Sequence, residues 1–182
     1  MPEARRTRPT VTAALRNRAR AIRLAVFDVD GVMTDGRIYL GESGAEMKAF
    51  HVLDGYGLKL LRENGIELAI LSGRRAHCVE RRGAELGIAH IIQGAGDKLP
   101  AFHGLLSKTG LKASQAVYMG DDVVDLPVLE RCGFAITVPG APTSVKRAVH
   151  YVTHRRGGDG AVREACELLL RLRSSTSRSG RS

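Results

Sequence analysis

Hydrophobic and polar positions along this chain follow two periods in turn. The apolar runs Leu24–Phe27, Glu67–Leu71 and Ala116–Met119 are short and nearly uninterrupted, as in strands buried on both faces. Apolar residues recur at helical spacing over 54–64, 75–86, 97–108, 122–131 and 161–173. Glycines at 65, 87 and 110 stop three of these helices. Weaker runs at 90–93, 134–138 and 151–153 read as short strands, with a helix near Thr143–Ala148 between the last two. Such β-α repetition predicts an α/β fold, a Rossmann-like parallel sheet with helices on both faces. One segment breaks the rhythm. Residues 36–50 carry two strand-like runs around Gly41, Glu42, Ser43 and Gly44, and read as an inserted β-hairpin.

Composition changes this picture only at the ends. The chain has 182 residues, enough for one domain with a proper core. Its net charge of +9 is unevenly placed. Residues 1–23 hold seven arginines and one glutamate, residues 171–182 hold four arginines and no acid, and the span between them carries a net −1. The body is therefore near neutral. We expect a basic flexible extension over 1–13, a single domain over 14–173 and a disordered Ser/Arg tail over 174–182. Scarce aromatics and no Trp argue against a base-stacking surface, so a nucleic-acid partner is not expected. No apolar run is long enough to span a membrane. The basic start lacks the apolar core of a secretory signal, and its first serine is Ser43, unlike Ser-rich transit peptides. Cys78, Cys132 and Cys166 have no metal-ligand spacing, and read as reduced thiols of a cytoplasmic protein.

The chemistry sits at strand ends. Asp28 and Asp30 follow the first strand, Ser72 and Gly73 follow the run ending at Leu71, Lys98 opens a helix, and Asp121, Asp122 and Asp125 follow Met119. Each group alone reads as well as a turn, a helix cap or a solvated lysine. In a parallel sheet, however, the carboxyl ends of the strands converge on one rim. Carboxylates for a hard cation, a hydroxyl and an ammonium then meet there, as phosphoryl transfer requires.

In sequence and order these motifs resemble those of the haloacid dehalogenase-like phosphatases. The closest likeness is to the capless subclass acting on acidic keto-sugar phosphates. Further matching segments are Phe50 to Gly57, Gln93-Gly94 and Gly160 to Glu164, so the likeness covers roughly residues 14–172. The resemblance implies a phosphoric monoester hydrolase that forms an aspartyl-phosphate. Asp28 would be its nucleophile and Asp30 its general acid and base. It implies Mg²⁺ held by Asp28, the backbone carbonyl of Asp30 and Asp121, with Asp122 and Asp125 behind them. Ser72, Gly73 and Lys98 would hold the phosphoryl group.

The implied substrate is an eight-carbon keto-sugar acid phosphate of lipopolysaccharide sugar synthesis. Its contacts would be Asp30, His51, Val52, Leu53, Asp54, Gly55, Lys59, Arg74 and Arg82. Arg81 adjoins Arg82, and helical geometry leaves both open; the resemblance points to Arg82. The resemblance also implies a homotetramer whose hairpins help close neighbouring sites, and a closing segment 157–163 able to reach a neighbouring site. The chain departs from many relatives at Leu53 and Asp159, where they carry arginine. Both departures remove a cation near an anionic substrate. Other readings are a phosphatase of nine-carbon sialic-type sugar phosphates and a catalytically idle regulatory homologue.

Overall fold

In the computed structural model, residues 12–42 and 44–174 are described. The expected tail 174–182 therefore lies outside them except for Ser174, as does most of the basic extension. Eight strands run in chain order: β1 (Leu24–Phe27), β2 (Tyr39–Leu40), β3 (Glu46–Met47), β4 (Glu67–Leu71), β5 (His90–Ile92), β6 (Ala116–Met119), β7 (Phe134–Thr137) and β8 (Tyr151–Val152). Seven α-helices accompany them: α1 (Ala13–Ala21), α2 (Val52–Glu63), α3 (His77–Glu85), α4 (Lys98–Thr109), α5 (Leu126–Leu129), α6 (Thr143–Ala148) and α7 (Ala161–Ser174).

Six strands form one sheet in the order β5-β4-β1-β6-β7-β8, and every pairing in it is parallel. Every residue of β1, β6 and β7 is buried, so helices must cover both faces there. On one side α1 and α2 pack against α7; elsewhere α4 packs on α5, and α5 on α6. Chain order runs one way from β1 through β4 to β5 and the other way through β6 to β8. The reversal lies between β1 and β6, where an open α/β sheet leaves a crevice at the strands' carboxyl ends. Asp28 and Asp121 follow those two strands.

Three elements differ from the sequence expectation. Helix α1, at the start of the domain, is absent from the sequence reading, and Thr12 caps it by accepting from the Leu15 N–H at 3.3 Å. Its three arginines hide the apolar stripe, which reduces to one buried residue, Ala19. The expected helix over 122–131 is split: a tight turn over Val123–Asp125 precedes the short α5, with Pro127 in its first turn. The hairpin exists but is smaller, with β2 and β3 paired antiparallel over two residues each. Among the described residues there is no cap domain, and no helix is long and apolar enough to cross a membrane.

Candidate active site

The end of β1 is fixed before any chemistry is considered. Asp28 stays in register through its N–H, which donates to the Met119 carbonyl at 2.9 Å. Its Oδ1 accepts from the Val29 N–H at 2.7 Å, which orients the carboxylate. A turn over Val29–Met33 follows, and Gly31 within it has φ +83°. A Cβ on Gly31 would lie 2.0 Å from Asp121 Oδ2, so glycine is required by both backbone and space. On the same rim the carboxylate oxygens of Asp28, Asp121 and Asp125 lie within 4.8 Å of one another.

These three carboxylates are not equivalent. Asp125 is fully buried and takes four donors. They are Lys98 Nζ and the Tyr118 hydroxyl, both at 2.6 Å, and the N–H groups of Asp121 at 3.0 Å and Asp122 at 3.1 Å. That fills the four lone-pair sites of a carboxylate. Asp125 therefore orients Lys98 and the loop and has no lone pair left for a cation. Lys98 Nζ also lies 2.6 Å from Asp28 Oδ2. Burial disfavours the Lys98 ammonium, but Asp28 and Asp125 outweigh it and its pKa is raised.

Lys98 is the only ion-pair partner of these carboxylates among the described residues, so the cluster is short of positive charge. Asp28 shows this: burial, opposed by Lys98 and reinforced by Asp125, pushes its pKa up to about 6. Burial and then the charges of Asp28 and Asp125 push Asp121 up to about 7. A divalent cation would relieve both. The available donors are hard oxygens, which suits Mg²⁺. With Asp125 saturated, Asp28 and Asp121 are the carboxylates of this cluster left with room for it.

A cavity of about 290 Å³ opens over this cluster. Asp28, Asp30, Lys98, Asp121 and Asp122 line one part of it, and Ser72, Gly73 and Arg74 another. Ser72 is pinned between strands, since its N–H donates to the Ile92 carbonyl at 2.9 Å. Asp30 is tied to the hairpin. Its Oδ1 is paired with Lys48 Nζ, whose side chain is 1% exposed. Lys48 also lies 2.8 Å from Glu46 Oε1, and Arg74 Nη2 donates to Glu46 Oε2 at 2.9 Å. Hydrogen bonds from Lys48 and then Arg74 hold the Glu46 carboxyl below its usual range. Burial opposes the Lys48 ammonium, but Asp30 and Glu46 more than compensate.

Known proteins are similar to this chain in sequence and fold. A haloacid dehalogenase-like hydrolase model matches residues 82–164. The chain is 48% identical over 153 residues to the 3-deoxy-D-manno-octulosonate 8-phosphate phosphatase of Yersinia pestis, covering 84% of this chain and 82% of that protein. The chain belongs to this phosphatase family. Among solved structures, the Moraxella catarrhalis 3-deoxy-D-manno-octulosonate 8-phosphate phosphatase in complex with magnesium ion, phosphate ion and KDO superposes with TM-score 0.85 at 46% identity, over 86% of this chain and 90% of that one. The cobalt-bound phosphatase of Haemophilus influenzae gives TM-score 0.83 at 40% identity, over 86% and 91% of the two chains.

Seven residues expected at the substrate do not reach the cavity of this phosphatase chain. His51 caps α2, accepting at Nδ1 from the Leu53 N–H at 3.3 Å. Val52 and Leu53 point outward, 78% and 50% exposed. Asp54 is 3% exposed and faces the interior, where it accepts from the Arg163 N–H at 2.8 Å. It anchors α7 on α2, so its expected substrate contact is corrected. Gly55 packs against the Arg82 guanidinium, which a Cβ would approach to 2.6 Å. Arg82 pairs with Glu85 at 2.9 Å, and Lys59 faces Glu63 at 3.9 Å. Helical periodicity cannot say that α2 turns this set away from its own chain's pocket. Segment 157–163 likewise closes on its own catalytic loop: Gly158 N–H donates to the Val32 carbonyl at 3.1 Å, and a Cβ on Gly157 would meet the Gly31 carbonyl at 1.8 Å.

Lys48, Glu46 and Tyr118 are the functional neighbours that sequence reasoning missed. Lys48 and Glu46 are ordinary charges within a hairpin signal, and Tyr118 is one more apolar-run residue. The spacing carries no sign that the hairpin folds back onto Asp30.

Proposed function

We propose that this protein hydrolyses 3-deoxy-D-manno-octulosonate 8-phosphate to the free sugar acid and inorganic phosphate, in lipopolysaccharide sugar synthesis. The observation that carries this reading is the cation-poor Asp28–Asp121 pair beside Lys98, with Asp30 lining the same cavity. Mg²⁺, when bound by Asp28, Asp121 and the Asp30 carbonyl, supplies charge neutralisation for the phosphoryl oxygens. Asp28 attacks phosphorus, and Asp30 gives its proton to the departing sugar oxygen. Asp30, now a carboxylate, then takes a proton from the water that cleaves the aspartyl-phosphate, which regenerates Asp28. Ser72 and Lys98 hold the phosphoryl oxygens throughout, and Asp125 aims Lys98. The complete set of reacting groups speaks against an idle regulatory homologue.

The substrate carboxylate calls for a cation, and Arg74 stands at the mouth of the cavity with its side chain 49% exposed. In our reading His51, Val52, Leu53, Gly55 and Lys59 around α2, with Arg82 on α3, serve a neighbouring subunit's site in a homotetramer. The hairpin residues Ile38, Tyr39, Leu40 and Met47 support such an assembly, since all four are large apolar side chains left exposed among the described residues. The Arg-rich ends flank one catalytic domain and take no part in the chemistry, which we place in the cytoplasm.

Leu53 and Asp159 favour one second reading. They leave fewer cations for a carboxylate, which keeps a nine-carbon sialic-type phosphate in view. A phosphate-release screen over sugar phosphates distinguishes the two. The eight-carbon acid sugar is expected to lead, with its advantage over a carboxylate-free analogue lost in Arg74→Ala. Leadership by the nine-carbon substrate would overturn the named substrate and keep the mechanism.

A further inference from the structure

The hairpin contributes more than an outer surface. Strand β3 and the residue after it send two charged side chains inward: Lys48 ends at Asp30 of the catalytic loop, and Glu46 ends at Lys48 and Arg74. A buried lysine is costly unless it is paired, and among the described residues Lys48 is paired with Asp30 and Glu46. Glu46 is in turn gripped by Arg74, whose Nε stands 3.9 Å from Asp30 Oδ2, beyond hydrogen-bonding distance. The two oxygens of Asp30 are thus unlike: Oδ1 carries the ammonium, and Oδ2 has no bonded donor among the described residues.

We propose that Lys48 is a positioning residue that aims Asp30, leaving Oδ2 as the oxygen that carries the transferred proton, with Glu46 holding Lys48 in place. This rests on the reading of Asp30 as proton donor and acceptor. An ammonium only donates, and the carbonyl oxygen of a carboxyl group accepts far better than its hydroxyl oxygen, so the oxygen held by Lys48 is the carbonyl one and the proton sits on the other. The proton that goes to the sugar oxygen as the P–O bond breaks therefore leaves from Oδ2. The proton taken from the attacking water returns to the same atom. Because Lys48 and Glu46 belong to the hairpin, its placement and the aim of Asp30 are coupled.

Leaving-group dependence tests this in the full-length Mg²⁺-loaded enzyme. A sugar alkoxide needs a proton to depart, whereas 4-nitrophenolate does not. General acid catalysis is worth about 10²–10⁴-fold, and a mis-aimed acid loses part of it. Lys48→Met should lower first-turnover cleavage of 3-deoxy-D-manno-octulosonate 8-phosphate by about 10–100-fold. First-turnover release of 4-nitrophenol from its phosphate ester should change by less than about 3-fold, because that step draws little on the acid. Lys48→Arg should recover most of the sugar-phosphate rate. Glu46→Gln, which leaves every buried ammonium in place, should show the same substrate pattern in weaker form. Equal losses on both substrates, or no loss on either, would overturn the inference. Asp30→Asn separates the two levels. If it leaves sugar-phosphate cleavage intact, the reading of Asp30 itself fails. If it abolishes that cleavage while the Lys48 and Glu46 variants show no leaving-group pattern, only the positioning role fails.

Discussion

Asp28 and Asp121 carry the sharpest consequence at the scale of single residues. Their pKa values, raised to about 6 and about 7, mean that without metal the folded protein binds protons that the unfolded chain releases near 3.8. The pair therefore favours the fold below about pH 4, and that contribution is lost as pH rises through about 7. Mg²⁺ compensates the ionised pair and competes with its protons. Thermal unfolding should show a larger Mg²⁺-induced rise in Tm at pH 8 than at pH 5.5. An equal rise at both would mean that these carboxylates do not bind the ion. Gly31→Ala should remove most of the Mg²⁺-induced rise at pH 8, because its methyl group would take the space of Asp121 Oδ2. Most of the central cluster was legible in the sequence, since Asp28 and Ser72 follow a strand directly and Asp30 and Asp121 come within three residues of a strand's end. Lys48 was not, because its role depends on where a hairpin folds back, and no local spacing records that.

Asp54 shows how elements constrain one another. It lies in the first turn of α2 yet caps α7, more than one hundred residues later in the chain. Replacing a capping carboxylate by alanine costs about 1–2 kcal/mol in such positions. Asp54→Ala should lower the free energy of unfolding by about that amount. First-turnover cleavage of 4-nitrophenyl phosphate should hold near its wild-type rate. A large loss of that rate in a stably folded variant would return Asp54 to the reacting centre. The parallel sheet was legible because its central strands are apolar on both faces and its helices end at glycines. The split at 123–125 was not: the Asp125 side chain turns inward to gather four donors, a tertiary demand that overrides helical spacing. The α1 helix was hidden by arginines, one of which, Arg18, reaches the Gly133 carbonyl at 2.9 Å.

For the whole molecule, the sheet reversal at β1 and β6 sets the reaction centre, and the hairpin is the surface on which the proposed homotetramer is tested. Leu40 is 71% exposed on β2, and Met47, paired with Tyr39, is 61% exposed on β3. Leu40→Asp should convert the assembly to smaller species, seen as a fall in mass by light scattering. An unchanged mass would remove the hairpin from the interface. The central claim is that Asp28 is the group that attacks phosphorus. It is tested most directly by phosphate release from 3-deoxy-D-manno-octulosonate 8-phosphate with Mg²⁺ present, wild type beside Asp28→Asn. Asparagine keeps the shape and removes the nucleophile, so release should fall by about 10³-fold or more with the fold intact. Near-normal release from a variant free of contaminating phosphatase would contradict it.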